Sequence, residues 1–320
     1  MLSFPDFKAK KVIVIFANYA EHFSFKNDNI LVTDSTKKVI LQDSCHKIFS
    51  IWVVGNCTIT TGLLERSKKF GITILMLNYS FRTIGSWNSQ TEGNFLLRKK
   101  QYDFQDQNIG KFIIYNKITN QLSLLKSIRD KDDEIRESIH LLQCYKDKLW
   151  ETENIQQLMG IEGVASKIYF KHFFKELPFS GRRPRTKSDP LNVILDIGYT
   201  KLFYLVENLL NLYGFDIYKG FLHQNFYKRK SLVCDIQEPF RPLIDRLIKK
   251  GFGLKQFKEE DFTYKNYQYS LDINKSKYYT NWLLKGILEH KDDIYLYIQQ
   301  FYRSFMKNND IKNYPEFLIN

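Results

Sequence analysis

Short apolar runs separated by polar turns characterise residues 1–90 of the chain. Their β-branched residues and their spacing predict strands over residues 12–17, 23–25, 30–33, 39–41, 48–54 and 72–77. A helix is expected from Thr61 to Phe70, with Gly71 as its C-terminal stop. Several short strands around one helix predict a small β-sandwich-like domain.

From residue 94 onwards the apolar residues recur at spacings of three and four, which predicts amphipathic helices. These helices are expected over residues 95–104, 113–125, 134–149, 155–177, 191–212, 232–250, 278–290 and 293–307, with Pro239 and Pro242 adjusting the sixth. Gly93–Asn94 is the expected hinge. The prediction is an α+β chain, with an N-terminal β domain over residues 1–92 and a larger all-α catalytic domain over residues 93–320.

The composition favours a nucleic-acid partner. The chain has 320 residues, a formal net charge of +13, 20 Tyr and 26 Phe. Positive charge suits a phosphate backbone and aromatic rings suit stacking on bases, although a basic surface of no special purpose would give the same numbers.

Compartment and cysteine chemistry are also constrained by the sequence. The four cysteines show no C-x-x-C spacing, so zinc-knuckle and redox motifs are unsupported. No apolar run approaches the roughly 20 residues that span a bilayer, and the run over residues 12–17 is too short for a signal peptide. We therefore expect a cytoplasmic protein without a membrane partner.

Metal-ligand chemistry is concentrated near residue 230. Asp235 and Glu238 lie three residues apart and share a face if this segment is helical, and two close carboxylates favour a cation between them. His223 lies between a turn at Gly220 and the basic run Lys228–Lys230. An exposed acidic pair at a helix start and an ordinary core or surface histidine would produce the same pattern.

Glu162 is a further candidate, because it lies among small and apolar residues between Gly160 and Gly163. A carboxylate in such surroundings is costly unless it is paired or metal-bound, although an exposed helical glutamate remains the alternative. The sequence contains no Walker loop, no H-E-x-x-H and no G-x-S-x-G, so nucleotide-binding and serine-hydrolase enzymes are unsupported.

Three segments taken together resemble the CRISPR adaptation integrase family, the metal-dependent endonuclease-integrases that insert spacers. The segments are residues 158–163 (LMGIEG), 220–223 (GFLH) and 231–242 (SLVCDIQEPFRP). Residues 25–28, 58–64 and 71–72 resemble motifs of the family's β domain, and residues 97–102 resemble its first linking helix. The resemblance covers nearly the whole chain.

The resemblance implies a set of catalytic residues. Glu162, His223 and Glu238 match the family's direct metal ligands, which would bind Mg²⁺ or Mn²⁺. Asp235 matches an additional acidic position, nearby or behind the ligands. Glu238 stands where many relatives carry Asp, so direct coordination by Asp235 stays open at this point.

The implied reaction joins two DNA molecules, so phosphate-binding residues are also expected. The basic candidates are Arg241, Lys228, Arg229, Lys230, Arg182, Arg183 and Arg185. The last three occupy a Gly- and Pro-containing loop that is predicted to be mobile and solvent-facing, and generic solubility is their alternative role.

The resemblance further implies a function and its partners. The chain would insert short foreign DNA fragments into CRISPR repeat DNA by transesterification from double-stranded DNA with 3′-OH ends. It would act as a homodimer, formed through the β domain, together with a small companion subunit. The alternatives are a stand-alone metal-dependent nuclease acting on branched or repair-intermediate DNA and a non-catalytic DNA-binding scaffold.

Overall fold

The computed structural model describes residues 2–17, 20–88, 93–184, 186–223 and 227–319. Arg185, one of the predicted DNA contacts, lies outside the described residues. The chain divides into two compact units, one comprising Met1–Leu96 with Asn208–Phe215 and the other Leu97–Glu207 with Asp216–Asn320. The sequence instead predicts a boundary at residues 92–93, and no sequence pattern indicates that Asn208–Phe215 joins the first unit.

The first unit contains two sheets and two short helices among its described residues. The helices are α1 (Phe4–Lys8) and α2 (Thr61–Phe70). The strands are β1 (Lys11–Phe16), β2 (His22–Lys26), β3 (Asn29–Thr33), β4 (Val39–Ser44), β5 (Ile48–Val54), β6 (Thr73–Leu77) and β7 (Thr83–Trp87). One sheet has the order β1-β5-β6-β7, and the other has the order β2-β3-β4.

Burial explains why these strands pair as they do. Every residue of β5 is buried, and β5 pairs in parallel with β1 and β6, as expected for a mostly apolar strand covered on both faces. The predicted hairpin turn is confirmed, because Asn27 and Asp28 both adopt the left-handed conformation that a tight β2–β3 connection requires. Gly71 ends α2 in that conformation, with a φ of 67°. Strand β7 was not predicted.

The second unit is mainly helical. Its helices are α3 (Phe95–Asp103), α4 (Asn108–Lys126), α5 (Asp133–Lys148), α6 (Ile155–Phe173), α7 (Pro190–Tyr213), α8 (Ser231–Gln237), α9 (Arg241–Gly253), α10 (Ile273–Leu288) and α11 (Lys291–Lys307), the first helix beginning before the boundary and α7 ending beyond it. A hairpin of β8 (Phe262–Lys265) and β9 (Gln268–Leu271) interrupts them, so the expectation of an all-α domain misses one small antiparallel element.

Helix α4 is the packing centre of this unit. It contacts α5, α6 and α9, and most of its residues are buried. The predicted helix over residues 232–250 is divided by a 3₁₀ turn, Glu238–Phe240, that lies between α8 and α9 and carries Pro239. Because proline lacks an N–H group, it favours such an interruption. No helix in the described part of the chain is long and apolar enough to cross a membrane.

Candidate active site

Two glutamates from different elements of the second unit meet at one buried lysine. Glu162 lies in α6, and Glu238 begins the 3₁₀ turn before α9. The ammonium group of Lys117, on α4, forms an ion pair with Oε1 of Glu162 and a second one, at 2.7 Å, with Oε2 of Glu238. The Lys117 and Glu238 side chains are 7% and 4% exposed, so solvent screens these charges little. The two carboxylates therefore share one cation position.

The turn that carries Glu238 is fastened to α4. Nδ2 of Asn120, one helical turn after Lys117, donates to the carbonyl oxygen of Pro239 at 2.9 Å. Arg241 adds an ion pair of 3.2 Å from its Nη2 to Oε1 of Glu238. Each oxygen of Glu238 is thus paired with a different cation, which fixes the direction of this carboxylate.

The charges of this cluster stabilise one another. Burial alone would raise the pKa of Glu162, but the attraction and hydrogen bond of Lys117, with a 2.9 Å hydrogen bond from Oγ of Ser166, lower it from 4.5 to about 2. For Glu238, Arg241 and Lys117 outweigh burial and lower the pKa. The two carboxylates outweigh burial at Lys117 and raise its pKa. At neutral pH both glutamates are ionised and the lysine is protonated.

Asp235 orients the imidazole of His223. Oδ2 of Asp235 accepts the backbone N–H groups of Phe221 and Leu222 at 2.6 and 2.9 Å. Its Oδ1 accepts the backbone N–H of His223 at 3.0 Å and lies 2.6 Å from the imidazole Nδ1. With Nδ1 as the donor, Nε2 is the nitrogen available to a ligand. Because N–H groups engage both oxygens, the contacts favour an orienting role for Asp235 over direct coordination.

This arrangement requires glycine at position 220. A Cβ atom there would lie 2.6 Å from Oδ2 of Asp235 and 2.9 Å from Cβ of Ser231. A Cβ atom essentially never approaches another atom this closely, so any other residue would displace the carboxylate or the loop. The Gly220 turn noted in the sequence therefore acts by close approach to Asp235.

The carboxylate and imidazole groups of this site meet some of the requirements of a divalent metal ion. The two carboxylates already hold a cation, and Oε2 of Glu238 has no well-aligned hydrogen-bond donor among the described residues despite its burial. Carboxylate oxygens with one imidazole nitrogen suit Mg²⁺ or Mn²⁺. However, no group of three or more His, Cys, Asp or Glu side chains in the described ranges is arranged to hold one metal ion. The joint ligand role of Glu162, His223 and Glu238 therefore stays a prediction.

A tyrosine and a buried aspartate support Arg241. The guanidinium carbons of Arg241 and Arg182 lie 5.0 and 5.3 Å from the centre of the Tyr199 ring. The Tyr199 hydroxyl donates to Oδ1 of Asp245 at 2.5 Å, and the Tyr169 hydroxyl donates to Oδ2 at 3.1 Å. Burial raises the pKa of Asp245 to about 6, although the two tyrosine hydrogen bonds oppose the rise. The hydrogen bond to Asp245 fixes the position of the Tyr199 ring, and the guanidinium groups of Arg182 and Arg241 both lie over that ring.

The loop that was predicted to be mobile is fastened to α7 at Arg182. Nη1 of Arg182 donates to Oδ1 of Asn192 at 2.9 Å, and Nη2 pairs with Asp196 at 2.6 Å. The backbone N–H of Arg183 also donates to Oδ1 of Asn192 at 2.9 Å, while Arg183 itself is exposed. Arg183 is consequently the better candidate for contact with DNA.

The basic run Lys228–Lys230 also contains both exposed residues and a residue that is paired within the fold. Lys228 and Arg229 are exposed, whereas Lys230 pairs with the buried Glu207 at 2.5 Å. Lys228 and Arg229 can therefore meet a polyanion without breaking an ion pair that the described residues form. Their DNA contacts, like that of Arg241, stay predictions.

Lys117, Tyr199 and Asp245 were missed by the sequence reasoning. Each lies on a helix that was predicted mainly from its apolar spacing. The signal present in the sequence is a charged or hydroxyl-bearing residue next to apolar ones within a predicted helix, such as Lys117 beside Ile118. A buried charge needs a partner, so such positions are candidates for polar sites.

Comparison with known proteins tests the family resemblance. The profile of the family described as CRISPR associated protein Cas1 matches residues 14–283. The chain is 36% identical over 230 residues to a CRISPR-associated endonuclease Cas1 of Thermodesulfovibrio yellowstonii, covering 66% of this chain and 70% of that protein.

Two solved structures share the fold. A chain of a Cas6-RT-Cas1--Cas2 complex superposes with a TM-score of 0.80 at 23% identity, covering 97% of this chain and 36% of that longer chain. A casposase bound to integration product superposes with a TM-score of 0.76 at 19% identity, covering 96% of this chain and 94% of that chain. The resemblance predicted from the motifs is confirmed, and the chain belongs to the Cas1 family of CRISPR associated proteins.

Proposed function

We propose that this protein is a divalent-metal-dependent DNA integrase that inserts short foreign DNA fragments into a CRISPR repeat array. The observation that carries the proposal is the meeting of Glu162 and Glu238 at one cation position in a Cas1 family member. His223, oriented by Asp235 on a loop of the same unit, is the proposed nitrogen ligand. Mg²⁺ or Mn²⁺ bound there would neutralise charge that develops on the phosphate oxygens.

The reaction is a transesterification at phosphorus. The 3′-oxygen of the incoming fragment forms a new P–O bond with a target-strand phosphate, and the bond from that phosphorus to the target 3′-oxygen breaks. The attacking hydroxyl loses a proton and the departing 3′-oxygen gains one, so the number of phosphodiesters is conserved. Such a step needs two DNA ends held in line more than it needs covalent help from protein.

The side chains of this unit have separate tasks in that scheme. Glu162 and Glu238 would hold the divalent ion, and Asp235 fixes the imidazole of His223 so that its Nε2 would be free to bind it. Arg241 fixes Glu238 and, with a side chain that is 28% exposed, also reaches a DNA phosphate. The exposed cations after His223 and in the loop before α7 bind the phosphate backbone, which makes DNA affinity fall steeply with salt.

The proposal extends to an assembly. Insertion at two strand positions requires two active sites at a fixed separation, and a homodimer supplies these by symmetry. A chain of similar fold forms part of a complex that also contains Cas2, which supports a small companion subunit for this protein. The partners on the DNA side are a duplex with 3′-OH ends and the repeat DNA.

A strand-transfer assay tests the proposal. A labelled duplex with 3′-OH ends is incubated with a supercoiled repeat-containing plasmid, Mn²⁺ or Mg²⁺ and the protein, with and without the companion subunit. We expect the label to join the plasmid, whereas a 3′-dideoxy duplex or EDTA gives no product. Plasmid cleavage without joining would indicate the stand-alone nuclease instead.

Variants identify the site. Glu162→Gln, His223→Ala and Glu238→Gln are each expected to reduce joining by at least about a hundredfold, the typical effect of removing a catalytic group, while DNA affinity stays within a few fold. Glu137→Gln, at an exposed position of α5, is the matched control and retains activity. Undiminished joining in all three site variants would favour the non-catalytic scaffold.

A further inference from the structure

Lys117 occupies the point at which the two carboxylates proposed as metal ligands meet. Its ammonium group lies between Oε1 of Glu162 and Oε2 of Glu238, and the side chain is buried. A protonated lysine has three N–H donors and no lone pair, so it cannot become a ligand itself. The site therefore carries its own cation where the proposed function requires a metal ion.

The two cations exclude each other from this position. Mg²⁺ is bound by oxygens at about 2.0–2.1 Å, so an ion held by the same two carboxylate oxygens would crowd the ammonium. Two like charges at such a separation in a poorly screened site repel strongly. Two adjacent buried carboxylates also repel when no cation is present. One cation at a time therefore suits this pair of carboxylates.

The geometry points to an exchange: Lys117 is an internal counter-ion that holds Glu162 and Glu238 together without metal, and its ammonium leaves them when the divalent ion binds. This inference rests on the proposed function, because it concerns the metal site of the same reaction. Lys117 is a positioning residue in this scheme. It preassembles the carboxylates and weakens metal binding, because the entering ion has to displace it.

The exchange predicts that replacing Lys117 increases the affinity of the site for the metal ion. Removal of a residue that assists metal binding lowers metal affinity, whereas removal of a competitor raises it. Lys117→Met keeps a side chain of similar length without the charge and is the first test variant. Lys111→Met is the matched control, because Lys111 lies on the same helix and donates to the carbonyl oxygens of Trp150 and Thr152 instead of to carboxylates.

Mn²⁺ binding is measured on the full chain without DNA by calorimetry, and thermal unfolding is followed in EDTA and in Mn²⁺. We expect Lys117→Met to bind Mn²⁺ at least about tenfold more tightly than wild type, to unfold at a lower temperature in EDTA and to gain more from Mn²⁺. Lys111→Met binds Mn²⁺ as wild type does. Lys117→Arg, which retains the charge, binds no more tightly than wild type.

Equal or weaker Mn²⁺ binding by Lys117→Met would overturn the exchange. If that variant does not fold without metal, Lys117→Gln replaces it, with the same expected gain in affinity. Adding Glu162→Gln to the tighter-binding variant must abolish the gain, otherwise the ion binds elsewhere and the inference fails. Wild-type strand transfer is measured separately, so the proposed function can stand when the exchange fails.

Discussion

Acid should weaken this fold through Glu162, and the size of the effect follows from its ion pair with Lys117. The replacement Glu162→Gln removes the negative charge and keeps the shape of the side chain. The folded protein lowers the pKa of Glu162 from 4.5 to about 2. Between these values the unfolded chain binds more protons than the folded one, so the free energy of unfolding rises with pH.

The magnitude is about 3 kcal/mol, because the pKa falls from 4.5 to about 2 and each pKa unit corresponds to about 1.4 kcal/mol. The Glu162 side chain is only 18% exposed, so solvent screening reduces this value little. The contribution is fully present above pH 4.5 and is lost as the pH falls towards about 2. A loss of this size agrees with the roughly 3–5 kcal/mol cost of breaking one half of a buried ion pair.

Urea unfolding in EDTA between pH 7 and pH 2.5 measures this contribution. At pH 7 we expect Glu162→Gln to be about 3 kcal/mol less stable than wild type, and the difference should shrink to less than about 1 kcal/mol at the acid end. The exposed control Glu137→Gln should differ little from wild type at every pH. A deficit of Glu162→Gln that does not change with pH would refute the charge-based account, since packing or a lost hydrogen bond would then be its cause.

Three further predictions test other parts of the site. Gly220→Ala should abolish strand transfer and lower the melting temperature, because its Cβ displaces Asp235, and full activity would contradict that role. Burial raises the pKa of Asp245 from 3.8 to about 6, so wild type should lose about 3 kcal/mol of stability as the pH rises through this window. Urea unfolding of Asp245→Asn should lack that loss, and an unchanged slope would refute it. Arg183→Ala should weaken DNA binding and reduce the salt dependence of DNA affinity by about one phosphate contact, without changing the melting temperature. Arg182→Ala should instead lower the melting temperature, and the reverse pattern would exchange the roles of the two arginines.

The order and type of most elements could be predicted from the sequence alone. Residues 61–70 form a helix that stops at Gly71, and residues 48–54 form a buried strand, because both patterns depend on neighbouring residues only. The short β7 strand and the β8–β9 hairpin escaped prediction. Each contains exposed positions, so neither shows the apolar pattern of a buried strand.

The site residues could likewise be predicted only in part: their identities follow from the sequence, and their partners do not. Glu162 became a candidate because a carboxylate in apolar, glycine-rich surroundings needs a partner, and the family resemblance joined it to His223, Asp235 and Glu238. Their spacing suggested that Asp235 and Glu238 act as a pair on one helix face. In the folded chain Asp235 instead binds the loop before it and His223, while Glu238 faces Lys117 and Arg241.

The sequence by itself therefore determined the periodic elements, the basic character and the residues able to carry chemistry, since each depends on local order or composition. Only the tertiary structure decided which partner each charge receives. Lys117 reaches Glu162 and Glu238 because α4 packs against α6 and against the 3₁₀ turn before α9. Such packing depends on how well the apolar faces of helices distant in sequence fit together, and residue spacing along the chain does not predict that fit.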